Sequence, residues 1–193
     1  MNDLKIAFIG AGSTMFSKLL MCDIFSHQAL RETTIILEDL DDESLDLTYR
    51  LANKIIDKFK LPGKIYKTTN QREAVKYADF VISMIAVGGN DAWEMDKNIP
   101  LKYGVNQIVG DTLGPGGLFR ALRHIPALVD LIHDMEDLCP NAILLNYANP
   151  MAPIMWALNK VSGIQKIGLC HSVQATTKEI AGYIGAAEWE NYP

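Results

Sequence analysis

The sequence predicts an α/β protein built on a doubly wound parallel sheet, a Rossmann-like architecture. Three observations carry that prediction. Short apolar runs of strand length alternate with stretches of helical periodicity. The glycines, acids and amides with special character fall just after those runs, at what would be one edge of the sheet. Finally, 193 residues with 49% hydrophobic side chains are enough to bury one sizeable core.

Residues 4–9 (LKIAFI) form the first apolar run, ended by Gly10, and read as a buried parallel strand. Residues 13–27 can be helical, with Phe16, Leu19, Leu20, Asp23 and Ile24 repeating at three and four. Residues 33–37 (TTIIL) are β-branched and close on Glu38 and Asp39, giving a second strand. A helix follows from about Asp42, capped by Asp41 or Asp42, with Leu45, Tyr49, Ala52, Ile55, Ile56 and Phe59 on one face; Pro62 and Gly63 stop it. Residues 64–68 are a weaker strand, 71–77 a short helix, and 79–85 a fourth strand running into Gly88 and Gly89.

Residues 90–117 are expected to be less regular, and 110–117 (GDTLGPGG) to be a loop, because breakers of that density suit neither element. Leu118, Ala121, Leu122, Ile125, Leu128, Val129 and Ile132 then mark a long amphipathic helix, with a kink expected from Pro126 near Leu122. Residues 142–145 are a fifth strand, Asn149 and Pro150 open another helix, and 166–169 form a sixth strand delivering Cys170 and His171. A last helix covers roughly 176–183.

Charge and cysteine usage narrow the class. With 18 basic against 23 acidic residues the net charge is -5. No basic run exists to support nucleic acid or an anionic membrane as partner. The start lacks the basic flank and long apolar stretch of a signal peptide, so a cytoplasmic location is expected. Cys22, Cys139 and Cys170 are an odd set without a close pair, which is neither a disulfide scaffold nor a zinc finger. Cys22 and Cys139 read as structural, and His27, His124 and His133 as exposed or helix-face residues.

The first turn carries the clearest chemistry. IGAGST follows the first strand and opens the first helix. Gly10 allows the tight turn, and Gly12 lets a pyrophosphate approach the backbone without meeting a Cβ. The helix N-terminus offers unpaired N–H groups and a positive dipole end, and Ser13 adds a hydroxyl. The third glycine of the common fingerprint is replaced by Met15, so looser helix–strand packing is expected there. Asp39, closing the second strand, is placed to accept from the adenosine ribose hydroxyls. Its charge would repel a 2′-phosphate, favouring NAD over NADP. The bland alternative is a tight turn at Gly10 and Gly12 with Asp39 as a helix cap.

GAGST, VGG, GDTLGPGG, NYANPM and GLCHSVQ together resemble glycoside hydrolase family 4, the NAD- and metal-dependent glycosidases. The form Cys170-His171-Ser172-Val173-Gln174 resembles the α-galactosidase branch, while also suiting galacturonate-like substrates. The resemblance implies hydride transfer from sugar C3 to NAD⁺, removal of the acidified C2 proton, loss of the aglycone, addition of water and return of the hydride. A divalent ion such as Mn²⁺ would polarise the C2 and C3 oxygens. By the same resemblance Cys170 is a metal ligand, Asn149 and His171 contact the sugar, Gly88 belongs to the cofactor site, and Asp111 orients a metal-bound water. The resemblance further implies a small-molecule glycoside substrate and a homo-oligomer.

Family members are longer than this chain, and their further metal-binding histidine and tyrosine base lie beyond its last residue. We therefore expect residues 1–193 to be the NAD-binding domain of a longer enzyme, lacking the C-terminal substrate domain and inactive alone. Two other readings stand beside this one. An NAD-dependent 2-hydroxyacid dehydrogenase of the malate or lactate type shares the sheet order, but needs carboxylate-clamping arginines and a His–Asp pair. Here Arg120 and Arg123 lie on one helix and no convincing pair is evident. A non-catalytic dinucleotide-binding module is the other.

Overall fold

The computed structural model describes residues 4–107 and 112–186. Six parallel strands lie in the order β3-β2-β1-β4-β5-β6. They are β1 (Lys5–Ile9), β2 (Thr34–Glu38), β3 (Lys64–Thr68), β4 (Phe80–Ser83), β5 (Ile143–Asn146) and β6 (Lys166–Gly168). Seven helices are described: α1 (Thr14–Ser26), α2 (Asp42–Phe59), α3 (Gln71–Val75), α4 (Gly89–Leu101), α5 (Gly114–Leu138), α6 (Met151–Val161) and α7 (His171–Tyr183). This is the doubly wound sheet that the alternation predicts. The order reverses between β1 and β4, where such sheets open a crevice at their carboxyl edge.

The period of two along β1 divides the core between the faces. Ala7 and Ile9 join one cluster with Val81, Leu128, Ile132, Leu144 and Ile154, under α5 and α6. Ile6 and Phe8 join the other with Met21, Phe25, Leu37, Leu45 and Ile82, under α1 and α2. Strands buried on both sides must read as continuous apolar runs, as 4–9 and 33–37 largely do.

Several local expectations are corrected. The inward face of α1 is Ser17, Met21 and Phe25, one position on from Phe16, Leu20 and Ile24, which are only partly buried; Leu19 is exposed. Met15 is 77% exposed. The missing third glycine therefore does not wedge α1 away, and Ser17 turns inward to bond the Ala11 carbonyl at 3.0 Å. On α2, Asp41 is the cap and accepts from the Glu43 N–H, while Phe59 is exposed. Lys60, in the left-handed conformation, ends the helix before Pro62 is reached.

Residues 89–101 are helical, not irregular. The buried positions of α4 are Ala92, Asp96 and Pro100, a stripe at spacing four that hides from a hydrophobic pattern because its centre is a carboxylate. The loop expected over 110–117 ends earlier than its composition suggests. Its first two residues lie outside the described residues, but Gly114 already opens α5 with Pro115 in the first turn. Proline is tolerated there because that N–H has no helical partner anyway. Gly117 is needed for packing: a Cβ would stand 2.6 Å from the Thr112 backbone. The helix runs on through Pro126, and Leu118 and Leu122, expected on its inner face, are exposed. The last helix begins at His171, five residues before its predicted start.

The sheet ends at β3 on one side and β6 on the other. Among the described residues no helix is long and apolar enough to cross a membrane.

Candidate functional site

The crevice is built from the loops that leave β1, β2, β4, β5 and β6. The glycine turn after β1 is fastened to β2 by three bonds. The N–H groups of Gly10 and Ala11 donate to the Glu38 carbonyl at 3.0 and 2.8 Å. That of Gly12 donates to Asp39 Oδ2 at 2.7 Å. Gly10 has φ +87°, and a Cβ on it would meet the Ile85 backbone nitrogen at 2.9 Å, so both conformation and space demand glycine. Ser13, exposed, caps α1 without a side-chain bond to the helix, and the first turn of α1 holds no acid. The positive end of α1 thus has no side-chain cap of its own, and the Asp39 carboxylate stands at the N–H just before it.

Asp39 has both oxygens engaged, since Oδ1 also accepts from the Asp41 N–H at 3.0 Å. It holds the glycine turn rather than capping α2, a task that falls to Asp41. Beside it, Glu38 is only 3% exposed, and burial with the neighbouring Asp39 charge pushes its carboxyl up to about 7.

Gly88 caps α4 at φ +80°, and a Cβ there would overlap Ala92 Cβ at 2.5 Å. The residue before it is held at both polar atoms. His124 Nε2 accepts from the Val87 N–H at 3.2 Å, and Arg123 Nε donates to the Val87 carbonyl at 3.3 Å. Arg123 also grips Asp96 of α4 with two bonds, at 2.7 and 2.5 Å. Histidine 124 is therefore buried and polar-bonded, against the expectation of an exposed or merely helix-face residue; His27 and His133 are exposed.

After β5, buried Asn146 closes the chain back on itself, bonding both the N–H and the carbonyl of Ala148. Asn149 follows, joined to Pro150 by a cis peptide, and its carbonyl accepts from Arg120 Nε at 3.1 Å. Pro150, not Asn149, is the N-cap of α6. The Leu169 N–H donates to the Asn146 carbonyl at 2.9 Å, so β6 delivers Cys170 next to the β5 loop.

Cys170 is exposed at the N-cap of α7. Hydrogen bonding from Ser172, and from the first N–H groups of α7, holds its thiol below the ordinary range. Cys139 is buried as expected of a structural residue, whereas Cys22 is exposed. His171 opens α7, but its side chain lies outside the described residues, as does Asp111. Among the described residues no group of three His, Cys, Asp or Glu could hold a metal, so Cys170 offers one ligand and not a complete cage.

The structure thus brings Gly12 and Asp39 into direct contact, ties Gly10 to the neighbouring Glu38 carbonyl, and sets Ser13, Gly88, Asn149 and Cys170 along the same strand edge. It adds Arg120, Arg123, His124 and Asp96, which the sequence pattern did not single out as site residues. The signal was faint: two arginines and a histidine within five positions of one helix.

Fold and crevice define a Rossmann-like α/β protein. The chain belongs to family 4 of the glycosyl hydrolases, whose model matches residues 5–186. It is 41% identical over 191 residues to an alpha-galactosidase from Rhizobium meliloti, covering 98% of this chain and 39% of that enzyme. An alpha-galactosidase from Bacillus subtilis is 40% identical over 182 residues, covering 94% of this chain and 42% of the relative. Among solved structures, the 6-phospho-beta glucosidase of Thermotoga maritima with manganese, NAD+ and glucose-6-phosphate superposes with a TM-score of 0.82 at 28% identity. That match covers 95% of this chain and 43% of the enzyme. The chain therefore spans about two fifths of the length of the relatives it matches.

Proposed function

We propose that this chain is the NAD-binding part, residues 1–193, of an α-galactosidase-like glycosidase that cleaves glycosidic bonds by oxidation at C3, elimination and addition of water. The observation that carries the reading is the glycine turn of β1, locked to Glu38 and Asp39 beneath a helix N-terminus that has no side-chain cap. In that arrangement Gly10 makes the tight turn against Ile85 and Gly12 leaves room for Asp39, while Ser13 and the first N–H groups of α1 would bind the oxygens of a pyrophosphate. Asp39 then exchanges its bond to Gly12 for one to a ribose hydroxyl, and Gly88 lets the β4–α4 turn pass close to the nicotinamide half.

The chain also offers one ligand to a divalent ion, a thiolate that would stand among the oxygen donors Mn²⁺ prefers. Cys170 is accessible and biased toward thiolate, the form that ligates manganese or its neighbours. When bound, NAD⁺ accepts the hydride and Mn²⁺ neutralises charge on the sugar C2 and C3 oxygens. The residues of this chain orient and hold: Asn149 and His171 position sugar hydroxyls beside Cys170. No described residue is assigned as the C2 base. The family match favours this reading over a 2-hydroxyacid dehydrogenase or a non-catalytic module.

Isothermal titration of the 193-residue chain with NAD⁺, followed by Mn²⁺ paramagnetic resonance on the wild type and Cys170→Ala, tests the reading. Saturable NAD⁺ binding and loss of bound Mn²⁺ on substitution are expected, with no turnover of an aryl α-galactoside. Absence of NAD⁺ binding would overturn the cofactor assignment, and Mn²⁺ uptake indifferent to Cys170 would overturn the metal assignment.

A further inference from the structure

We propose that Arg120 and His124, one turn apart on α5, are positioning residues that hold the β4–α4 and β5–α6 loops in register with each other. The proposal rests on the cofactor site described above, because those loops carry Gly88 and Asn149. Its geometric part stands without it. Val87 precedes two consecutive left-handed glycines, Gly88 at φ +80° and Gly89 at φ +57°. Backbone of that kind has many alternatives, so a fixed path needs an outside anchor. Both polar atoms of Val87 are anchored by side chains of α5, the N–H by His124 and the carbonyl by Arg123. Four residues earlier on the same helix, Arg120 holds the carbonyl of Asn149. One rigid element thus sets two loops at once.

The ring of His124 has a defined tautomer. Its Nδ1 lies 2.9 Å from the Arg120 carbonyl, which only accepts, so Nδ1 carries the proton. Nε2 receives the Val87 N–H and must be bare. His124 is 1% exposed, and the charged groups that bear on its ring are Arg120, Arg123 and Asp96. Burial accordingly keeps the imidazole neutral, with its pKa below the ordinary value. A protonated ring would turn a second donor on the Val87 N–H and release the loop.

The test uses three substitutions in the 193-residue chain. His124→Gln keeps an acceptor near the Nε2 position, His124→Asn keeps only a group near Nδ1, and His124→Phe keeps the volume alone. Amide exchange at Val87, NAD⁺ affinity and melting temperature are measured for each. For the Phe and Asn variants, Val87 exchange about tenfold faster and NAD⁺ binding about tenfold weaker are expected, the value of one buried hydrogen bond. The Gln variant should restore both. A general loss of packing would follow melting temperature and would not be rescued by Gln.

Should His124→Phe fail to fold, Arg120→Leu, on a half-buried side chain, is expected to weaken NAD⁺ binding while leaving Val87 exchange slow. Unchanged Val87 exchange in a folded Phe or Asn variant would overturn the anchoring. Faster exchange with unchanged NAD⁺ affinity would overturn its role at the cofactor site. If the wild-type chain bound no NAD⁺, the proposed function would fall, and Val87 exchange would decide the anchoring by itself.

Discussion

Asp39 Oδ2 stands 2.7 Å from the Gly12 nitrogen and would stand 2.7 Å from any Cβ placed on Gly12. The acid at the end of β2 and the bare α-carbon before α1 are therefore one feature. The carboxylate fills the space that the absent side chain leaves.

Replacing Gly12 by alanine should force Asp39 aside. NAD⁺ affinity is expected to fall by about tenfold or more, the equivalent of a charge-assisted hydrogen bond, in a calorimetric titration. The double variant Gly12→Ala, Asp39→Ala should regain part of the thermal stability lost by Gly12→Ala, because the closest contact is gone and only Ser44 Cβ at 3.1 Å still crowds the new methyl, without regaining NAD⁺ binding.

Asp39→Ala alone should leave the sheet intact, since the Gly10 and Ala11 bonds to the Glu38 carbonyl remain. Its NAD⁺ affinity should drop by about 1.5–3 kcal/mol, the range for a hydrogen bond to a charged group. The gap between NAD⁺ and NADP⁺ should narrow as well, because the charge that repels a 2′-phosphate has been removed. Parallel titrations with both nucleotides read this out directly.

Glu38 gives the fold a pH signature. Its carboxyl is raised from 4.5 to about 7 by burial and by Asp39. The native state thus keeps a proton that the unfolded chain releases, so stability from this group is full below 4.5 and is lost as pH rises towards 7. The swing is on the order of 3 kcal/mol. Buried His124, lowered instead, works in the opposite sense, losing stability as pH falls through its folded value. Melting curves of wild type and Glu38→Gln across this range separate the two. The difference between them should grow as pH rises, and a constant difference would rule out a titrating Glu38.

The Arg123–Asp96 pair should respond unequally to the loss of either partner. The Asp96 side chain is 4% exposed and that of Arg123 is 29%. Removing arginine strands a buried carboxylate, so Arg123→Met is expected to cost about 3 kcal/mol by denaturant unfolding. Asp96→Asn should cost less, because the guanidinium left behind still reaches water. The joint substitution Asp96→Leu with Arg123→Met should recover part of the loss.

Strand positions and the order of elements were legible because parallel strands covered on both faces must be apolar throughout, as in residues 4–9 and 79–85. The glycine turn was legible for a related reason: φ +87° at Gly10 leaves little choice of residue. What escaped was polar burial. Helix α4 packs through Asp96, and α5 reaches the crevice through Arg120, Arg123 and His124. Period counting treats each of these as solvent-facing. The start of α5 escaped for the complementary reason, since glycine and proline in a first turn look like loop until the helix beyond them is seen.

The two margins of the sheet also govern how the molecule behaves at high concentration. Strand β3 carries Lys64 and Lys67 on opposite faces, with Lys67 bound to Asp42 and Asp46, and β6 is only three residues long. An incoming strand would meet lysine side chains on one flank and run out of pairing positions on the other. Concentrated solutions of the native chain should accordingly stay free of fibrils grown by strand addition.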